Sequence, residues 1–370
     1  MKMRAAVLEE FGQPLAVQEV ELAEPRAGEA LVRLVACGVC HTDLYTASGA
    51  DPSGYAPAVL GHEGAGVVER VGADVTSLAP GDHVVTLFSP QCGECVHCVD
   101  PRTNLCMAIR EQQNQGLLPD GTTRISREGG GEGIRHFMGC STFAEYTVMP
   151  EIALAKVNPE APFEHVCLFA CGLSTGLGAA INTAAVTPGS TCVVFGAGMV
   201  GLGAVAGCRL QGAERIVCVD LSPQRLQLAR GQGATDVMVG GEEAVAAILE
   251  MTGGFGADYT FEATGNVAVM RQAVEAARMA WGLCTVAGVA GKGETLDVVP
   301  RFLITGRRIA GSSFGGVKGR DQVPVLVERA LAGEIDVEPF ISHRIGLDEV
   351  NRGFELMEAQ DGIRSVIEFS

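Results

Sequence analysis

The segment Thr191-Cys192-Val193-Val194-Phe195-Gly196-Ala197-Gly198-Met199-Val200-Gly201 decides how this chain is read. A short apolar run enters G-x-G-x-x-G, and the residues after it keep an apolar helical pattern, so the segment reads as strand, turn and helix. In such a unit Gly196 permits the tight turn and Gly198 lets a pyrophosphate approach the backbone. Gly201 lets the helix pack on the strand, and the helix N-terminus supplies the anion site. Glycines serving packing alone would give the same motif. A second observation sharpens it: the next apolar strand, 215–219, ends at Asp220, about twenty residues past the turn, where a carboxylate holds the adenosine ribose hydroxyls. Its charge would repel a 2′-phosphate, so the cofactor is expected to be NAD rather than NADP.

Outward from this turn, strands at 191–195, 215–219, 258–262 and 283–289 alternate with helices at 199–211 and 223–231. Such alternation implies an α/β fold with a doubly wound parallel sheet. Residues 1–172 differ, because short apolar runs at 30–36, 66–71 and 83–88 are broken by Gly, Pro and Asp clusters, the mark of a β-rich domain with long loops. Beyond Gly315 and Gly316 come expected helices at 321–332 and 347–359 and a last strand at 364–369, a tail expected to rejoin the first domain. The expected division is therefore 1–172 with 316–370, and 173–315.

Charge and composition narrow the function. With 27 basic and 44 acidic residues the net charge is −17, which would repel a phosphate backbone and argues against nucleic-acid binding. A zinc-stabilised module that contacts a polyanion is disfavoured for the same reason. No apolar run approaches the length of a membrane span, and the start, Met1-Lys2-Met3-Arg4-Ala5-Ala6-Val7, leads straight into Glu9 and Glu10, so a soluble, cytoplasmic protein is expected. Thirteen cysteines cannot all pair, and their clustering points to metal.

Two cysteine-bearing constellations stand out. Cys92, Cys95, Cys98 and Cys106 follow C-x2-C-x2-C-x7-C, which suits four thiolates on one structural zinc. The rivals are an iron–sulfur cluster, whose bacterial run needs the fourth cysteine three residues on and then a proline, and redox cysteines. The other constellation is dispersed over Cys40-His41-Thr42-Asp43, Gly61-His62-Glu63 and Cys171-Gly172. Spacing cannot unite these pieces, and Cys171 alone could be a small buried hydrophobe.

Taken together, the motifs carry a resemblance. Gly38-Val39-Cys40-His41-Thr42-Asp43, residues 60–66, residues 90–98, Asn104-Leu105-Cys106, Leu118-Pro119-Asp120-Gly121, Ser141-Thr142-Phe143, residues 171–176 and Phe314-Gly315-Gly316 resemble the zinc-dependent medium-chain alcohol dehydrogenases, and within them the class III type, over nearly the whole chain. So does Ser48-Gly49-Ala50-Asp51-Pro52. The resemblance implies a GroES-like β-rich catalytic domain plus a Rossmann domain, with the active site between them. It implies two zinc ions per subunit, catalytic zinc on Cys40, His62 and Cys171 and structural zinc on Cys92, Cys95, Cys98 and Cys106. It also implies a homodimer.

Further roles are carried over by the same resemblance. Thr42 falls where the family contacts the substrate hydroxyl, Asp43 where a carboxylate fixes the imidazole of His62, and Glu63 where a carboxylate can exchange onto zinc. His41 and Arg364 fall at pyrophosphate contacts and Arg225 near the adenosine ribose, while Val200 and Val289 press on the nicotinamide. Tyr45 stands where some members place a relay histidine.

The expected reaction is reversible oxidation of an alcohol to an aldehyde, with hydride passing to NAD, zinc as Lewis acid and Thr42 receiving the proton. Phe88, Phe137 and Met138 would line the substrate slot with Val289, and Asp51 and Arg110 keep part of the class III mouth. Ser53, Met107 and Ala280 replace a glutamate, a glutamine and a lysine usual there, which makes the mouth less polar. The sequence reading therefore favours long-chain or aromatic primary alcohols, with S-(hydroxymethyl)glutathione, the glutathione adduct of formaldehyde, as the alternative.

Overall fold

The computed structural model describes residues 1–51 and 53–369; Pro52, one of the positions that carried the resemblance, lies outside the described residues. Contacts divide the chain into two units. One comprises Met1–Cys171, Lys318–Gly333 and Val337–Ser370, and the other Gly172–Val317 with Glu334–Asp336.

The first unit is built on β-strands. Lys2–Leu8, Ala16–Leu22, Ile125–Ser126, Gly133–His136 and Ala58–Val59 close a small barrel. Beside it runs a sheet ordered Leu154–Lys156, His83–Thr86, Glu63–Val71, Glu29–Val39, Arg364–Glu368, Ile341–Ile345, with Tyr146–Pro150 also paired to Glu29–Val39. Glu29–Val39 is the spine, and its pattern is nearly all buried, as a strand with neighbours on both edges requires. Its register matters to function: Gly38 pairs Glu63 and Val39 pairs Ser365, so the strand end that leads into Cys40 lies beside the starts of two other strands. Leu8, Leu60, Phe143 and Ile367 pack in the core cluster behind that end.

In the second unit six parallel strands follow the order Asp236–Val239, Arg215–Asp220, Thr191–Phe195, Tyr259–Glu262, Leu283–Val286, Arg308–Gly311. This is the strand order of a dinucleotide-binding sheet, with the order reversing beside Thr191–Phe195, the strand that enters the glycine turn. The helix Met199–Leu210 follows the turn, and Pro223–Gln232 starts with Ser222 accepting the Arg225 N–H and Pro223 in the first turn. Val193, Phe195, Val217 and Ile248 centre its core. Secondary structure departs from the sequence reading in detail. The expected strand 283–289 ends at Val286, and the expected helix 347–359 begins with a 3-10 turn, Leu347–Glu349, before Val350–Glu358. No single described helix is long and apolar enough to cross a membrane.

Candidate metal and cofactor sites

Cys40 follows the spine strand directly and caps the helix His41–Ala47, whose third residue, Asp43, accepts the Cys40 N–H at 2.9 Å. The same carboxylate, fully buried, accepts Gly61 N–H at 3.1 Å and meets His62 Nδ1 at 3.0 Å. Asp43 therefore ties the helix to the His62 strand entry and holds the ring by one nitrogen. The other nitrogen, Nε2, is buried and has no protein partner, as is the case for Glu63 Oε2. Cys40, His62, Glu63 and Cys171 each offer a donor atom, and these atoms all lie within 4.8 Å of one another. A buried lone pair without a partner carries a substantial desolvation penalty. Two sulfurs, an imidazole nitrogen and a nearby carboxylate are the donor set that zinc satisfies, so the residues fit that ion.

Electrostatics point the same way. A hydrogen bond from Cys171, helped by Arg364 and His62, holds the Cys40 thiol well below its usual range. Burial pushes the Glu63 carboxyl up to about 8 against the pull of Arg364. Arg364, also buried, donates to Glu63 Oε1 at 3.0 Å and to the Val39 carbonyl at 2.9 Å. Thr42 Oγ1 lies 3.7 Å from Cys40 Sγ. The rings of Phe88 and Phe137 meet His62 edge-on at 5.8 and 5.9 Å, giving the cluster an apolar flank. Met138 follows in the left-handed region at φ 52°. His41 is exposed and Tyr45 half-buried.

Two other residues expected at the mouth lie on segments of their own. Arg110 is exposed at the start of the one-turn helix Arg110–Gln113. Asp51 is held locally: Thr46 donates to one carboxylate oxygen at 2.8 Å, and Ser53 donates to the other through its hydroxyl at 2.7 Å and its amide at 2.9 Å. Ser53 thus closes on Asp51 within its own loop.

The four-cysteine loop is a second donor set. Cys92 and Cys98 sulfurs are 3.8 Å apart and Cys95 and Cys106 sulfurs 3.9 Å. With zinc–sulfur bonds of about 2.3 Å a tetrahedron has edges of about 3.8 Å, so the spacing fits a single ion. A four-iron cluster places a separate iron under each sulfur and spreads them further. The Met107 amide favours the Cys95 thiolate, lowering that thiol to about 6. Sequence reasoning missed what holds this loop. Lys318 donates from Nζ to the Asp100 carbonyl at 2.9 Å and to the Cys98 carbonyl at 2.5 Å, while Gln91 accepts the Arg320 N–H at 2.9 Å and donates to Asp321 at 2.5 Å. The position of Gln91 directly before Cys92 was a signal; nothing local marked Lys318.

In the second unit the glycine turn has the expected division of labour. Gly196 adopts φ 98°, and a Cβ on Gly201 would lie 1.7 Å from the Gly196 carbonyl oxygen, so both are required by the fold. Gly198 differs: a Cβ there would meet nothing within 4 Å. That open cradle, above the free N-terminus of a helix, fits a diphosphate. Asp220 grips the turn through the Ala197 N–H at 2.6 Å and also accepts the Ser222 N–H at 2.8 Å. Val200 and Arg225 are half-buried, and Val289 is 76% exposed.

Known proteins agree with this geometry. Residues 26–159 match the alcohol dehydrogenase GroES-like domain family and residues 199–332 the zinc-binding dehydrogenase family. S-(hydroxymethyl)glutathione dehydrogenases of Escherichia coli O157:H7 and Shigella sonnei are 51% identical to it over the whole of both chains. Among solved structures, an alcohol dehydrogenase zinc-binding domain protein from Burkholderia ambifaria superposes with a TM-score of 0.94 at 36% identity, covering 100% of this chain and 99% of its own. Benzyl alcohol dehydrogenase from Acinetobacter calcoaceticus gives 0.92 at 32% identity, covering both chains fully. The chain belongs to the zinc-dependent medium-chain alcohol dehydrogenase family. It is an oxidoreductase with a GroES-like domain and a Rossmann domain.

Proposed function

We propose that this enzyme is an NAD-linked S-(hydroxymethyl)glutathione dehydrogenase. The observation that carries the reading is the end-to-end identity of 51% with relatives of that name. It reverses the preference for long-chain or aromatic alcohols drawn from the apolar replacements at the mouth. Asp51 supports the reversal: burial opposes its charge, but Ser53 and Thr46 hold the carboxyl below its usual value, so the group stays ionised and able to meet a substrate amine. Arg110, exposed, is available to a substrate carboxylate.

In this reading Cys40, His62 and Cys171 hold the catalytic zinc, Cys92, Cys95, Cys98 and Cys106 the structural one, and Gly198 with Asp220 the nucleotide. When bound, zinc supplies Lewis acidity and NAD the hydride acceptor. The chain's own residues do the rest. Thr42 accepts the hydrogen bond of the alcohol hydroxyl and, as that proton shifts to it, gives up its own toward the nucleotide ribose and water. Asp43 keeps the proton of His62 on Nδ1, leaving Nε2 as a ligand. Glu63, paired with Arg364 through Oε1, offers a carboxylate oxygen to the donor cluster. Phe88, Phe137 and Met138 exclude water beside it. Cytoplasmic location and a homodimer belong to the same proposal.

A second reading rests on Phe88 and Phe137 against His62, an apolar wall that suits benzyl or long-chain alcohols. Steady-state comparison decides. With glutathione and formaldehyde mixed to form the adduct, kcat/KM should exceed that for 1-octanol and benzyl alcohol at least tenfold. The opposite order would return the enzyme to the apolar-alcohol reading.

A further inference from the structure

Gln113 ends the one-turn helix Arg110–Gln113 and is half-buried, whereas Arg110 at the other end is exposed. Its side-chain amide has two N–H donors, and both are used: Nε2 donates to the Phe88 carbonyl at 2.8 Å and to the Met138 carbonyl at 2.7 Å. Those carbonyls belong to separate segments, one just beyond the strand His83–Thr86 and one in the turn Phe137–Gly139. No strand pairing joins the two strands nearest them, which lie in different sheets. The residues whose carbonyls are tied flank the metal-donor cluster, since the Phe88 ring and that of Phe137, next to Met138, both rest edge-on against His62. Met138 is also held at φ 52°, ψ 23°, a region a non-glycine residue enters only when its surroundings impose it.

We infer that Gln113 is a positioning residue for substrate specificity: by tying the Phe88 and Met138 carbonyls together it sets the width of the apolar wall beside the metal-donor cluster. The inference rests on Phe88, Phe137 and Met138 forming the substrate wall, and it does not depend on which alcohol is physiological. Residue type matters. Glutamate has the shape of glutamine but would present oxygens to two carbonyl oxygens, methionine fills the space without donors, and asparagine keeps both donors on a shorter arm that reaches one carbonyl at most. The mouth helix that carries Arg110 is held to the wall by the same two bonds, so a substrate anchored at Arg110 and one seated only against the wall both feel the tie.

The test is kinetic, on zinc-loaded Gln113→Met, Gln113→Glu and Gln113→Asn enzymes, with NAD saturating and 1-octanol compared with ethanol. Losing the tie should lower the octanol-to-ethanol ratio of kcat/KM about tenfold in the Met and Glu variants and about threefold in Asn, mainly through KM for octanol, with ethanol kcat within twofold of wild type. If the Met and Glu variants do not fold, the Asn variant decides alone. A ratio within twofold of wild type in folded protein overturns the inference, and a lowered melting temperature with that unchanged ratio assigns Gln113 to stability only. Because plain alcohols are used, failure of the glutathione-adduct reading shows separately, as a poor wild-type rate on the adduct.

Discussion

Asp43→Asn tests how the first donor set is organised. Asp43 is fully buried and its two oxygens meet three groups: Cys40 N–H at 2.9 Å, Gly61 N–H at 3.1 Å and His62 Nδ1 at 3.0 Å. An asparagine offers one acceptor and one donor, so whichever way it turns, its NH2 faces an N–H. Turned toward Cys40, it opposes that amide and unravels the cap of the helix. Turned toward His62, it opposes Gly61 and drives the imidazole proton from Nδ1 to Nε2, where the ring can no longer act as a ligand. One unsatisfied buried donor is worth about 1–3 kcal/mol, and loss of a carboxylate behind a ligating histidine lowers metal affinity by roughly 10–100-fold. The assay is competition for zinc with a chromogenic chelator, scored against the release of the four-cysteine metal in the same sample, together with kcat for 1-octanol. The chelator-labile zinc should rise to one per subunit and kcat should fall at least tenfold, while the second zinc is retained. Wild-type zinc affinity and kcat within threefold in a folded Asp43→Asn protein would refute the argument that this carboxylate sets the tautomer.

Gly198→Ala and Gly201→Ala should part ways. The first meets nothing within 4 Å and should leave the melting temperature unchanged while weakening NAD binding about tenfold or more, whereas the second puts a Cβ 1.7 Å from a backbone oxygen and should destabilise the domain with or without NAD; calorimetric titration and thermal melts separate them. Lys318→Met removes two bonds to the carbonyls of the cysteine loop, so zinc from that loop should reach a chelator several times faster with kcat little changed, and equal release rates would show that the loop closes without it. For pH, burial and then the Arg124 charge press the His136 imidazole down to about 3, far below its ordinary value near 6.5. The unfolded chain therefore takes up a proton that the folded one refuses throughout that window, and stability falls as pH drops from 6.5 toward 3, by about 1.4 kcal/mol per unit from this group. His136→Gln should flatten that part of the denaturation profile between pH 6.5 and 5, and an unchanged slope would count against it.

Much of the architecture was legible because it is written in short-range patterns. The strand–turn–helix at Thr191 to Gly201 carries its own geometry: a positive-φ glycine, a glycine against a backbone oxygen and an apolar strand are local demands. The four-cysteine loop is similarly local, and its spacing favoured one structural zinc over an iron–sulfur cluster or redox cysteines, which the sulfur separations then set apart. The donor set at Cys40 was not, because nothing in the order of residues says that Cys40, His62 and Cys171 meet. Only the resemblance joined them; physically, the antiparallel register of Glu29–Val39 with Glu63–Val71 brings Cys40 beside His62, and the 3-10 turn Cys167–Ala170, packed on those same strands, carries Cys171 to them.

What the chain determines by itself, then, is what its neighbours along the backbone can enforce: the dinucleotide turn, the carboxylate at Asp220, the metal loop and the alternation that makes a parallel sheet. Tertiary structure decided the partners of side chains whose chemistry is ambiguous alone. Arg364 carries a charge that could have met a pyrophosphate, and the sheet register also sets it against Glu63 in the interior. Gln113 stands in a run of four amides, Gln112-Gln113-Asn114-Gln115, and no pattern marks the one that turns inward. It is the packing of two distant segments that brings the Phe88 and Met138 carbonyls within reach of that one amide, whose two N–H groups need acceptors where it turns inward.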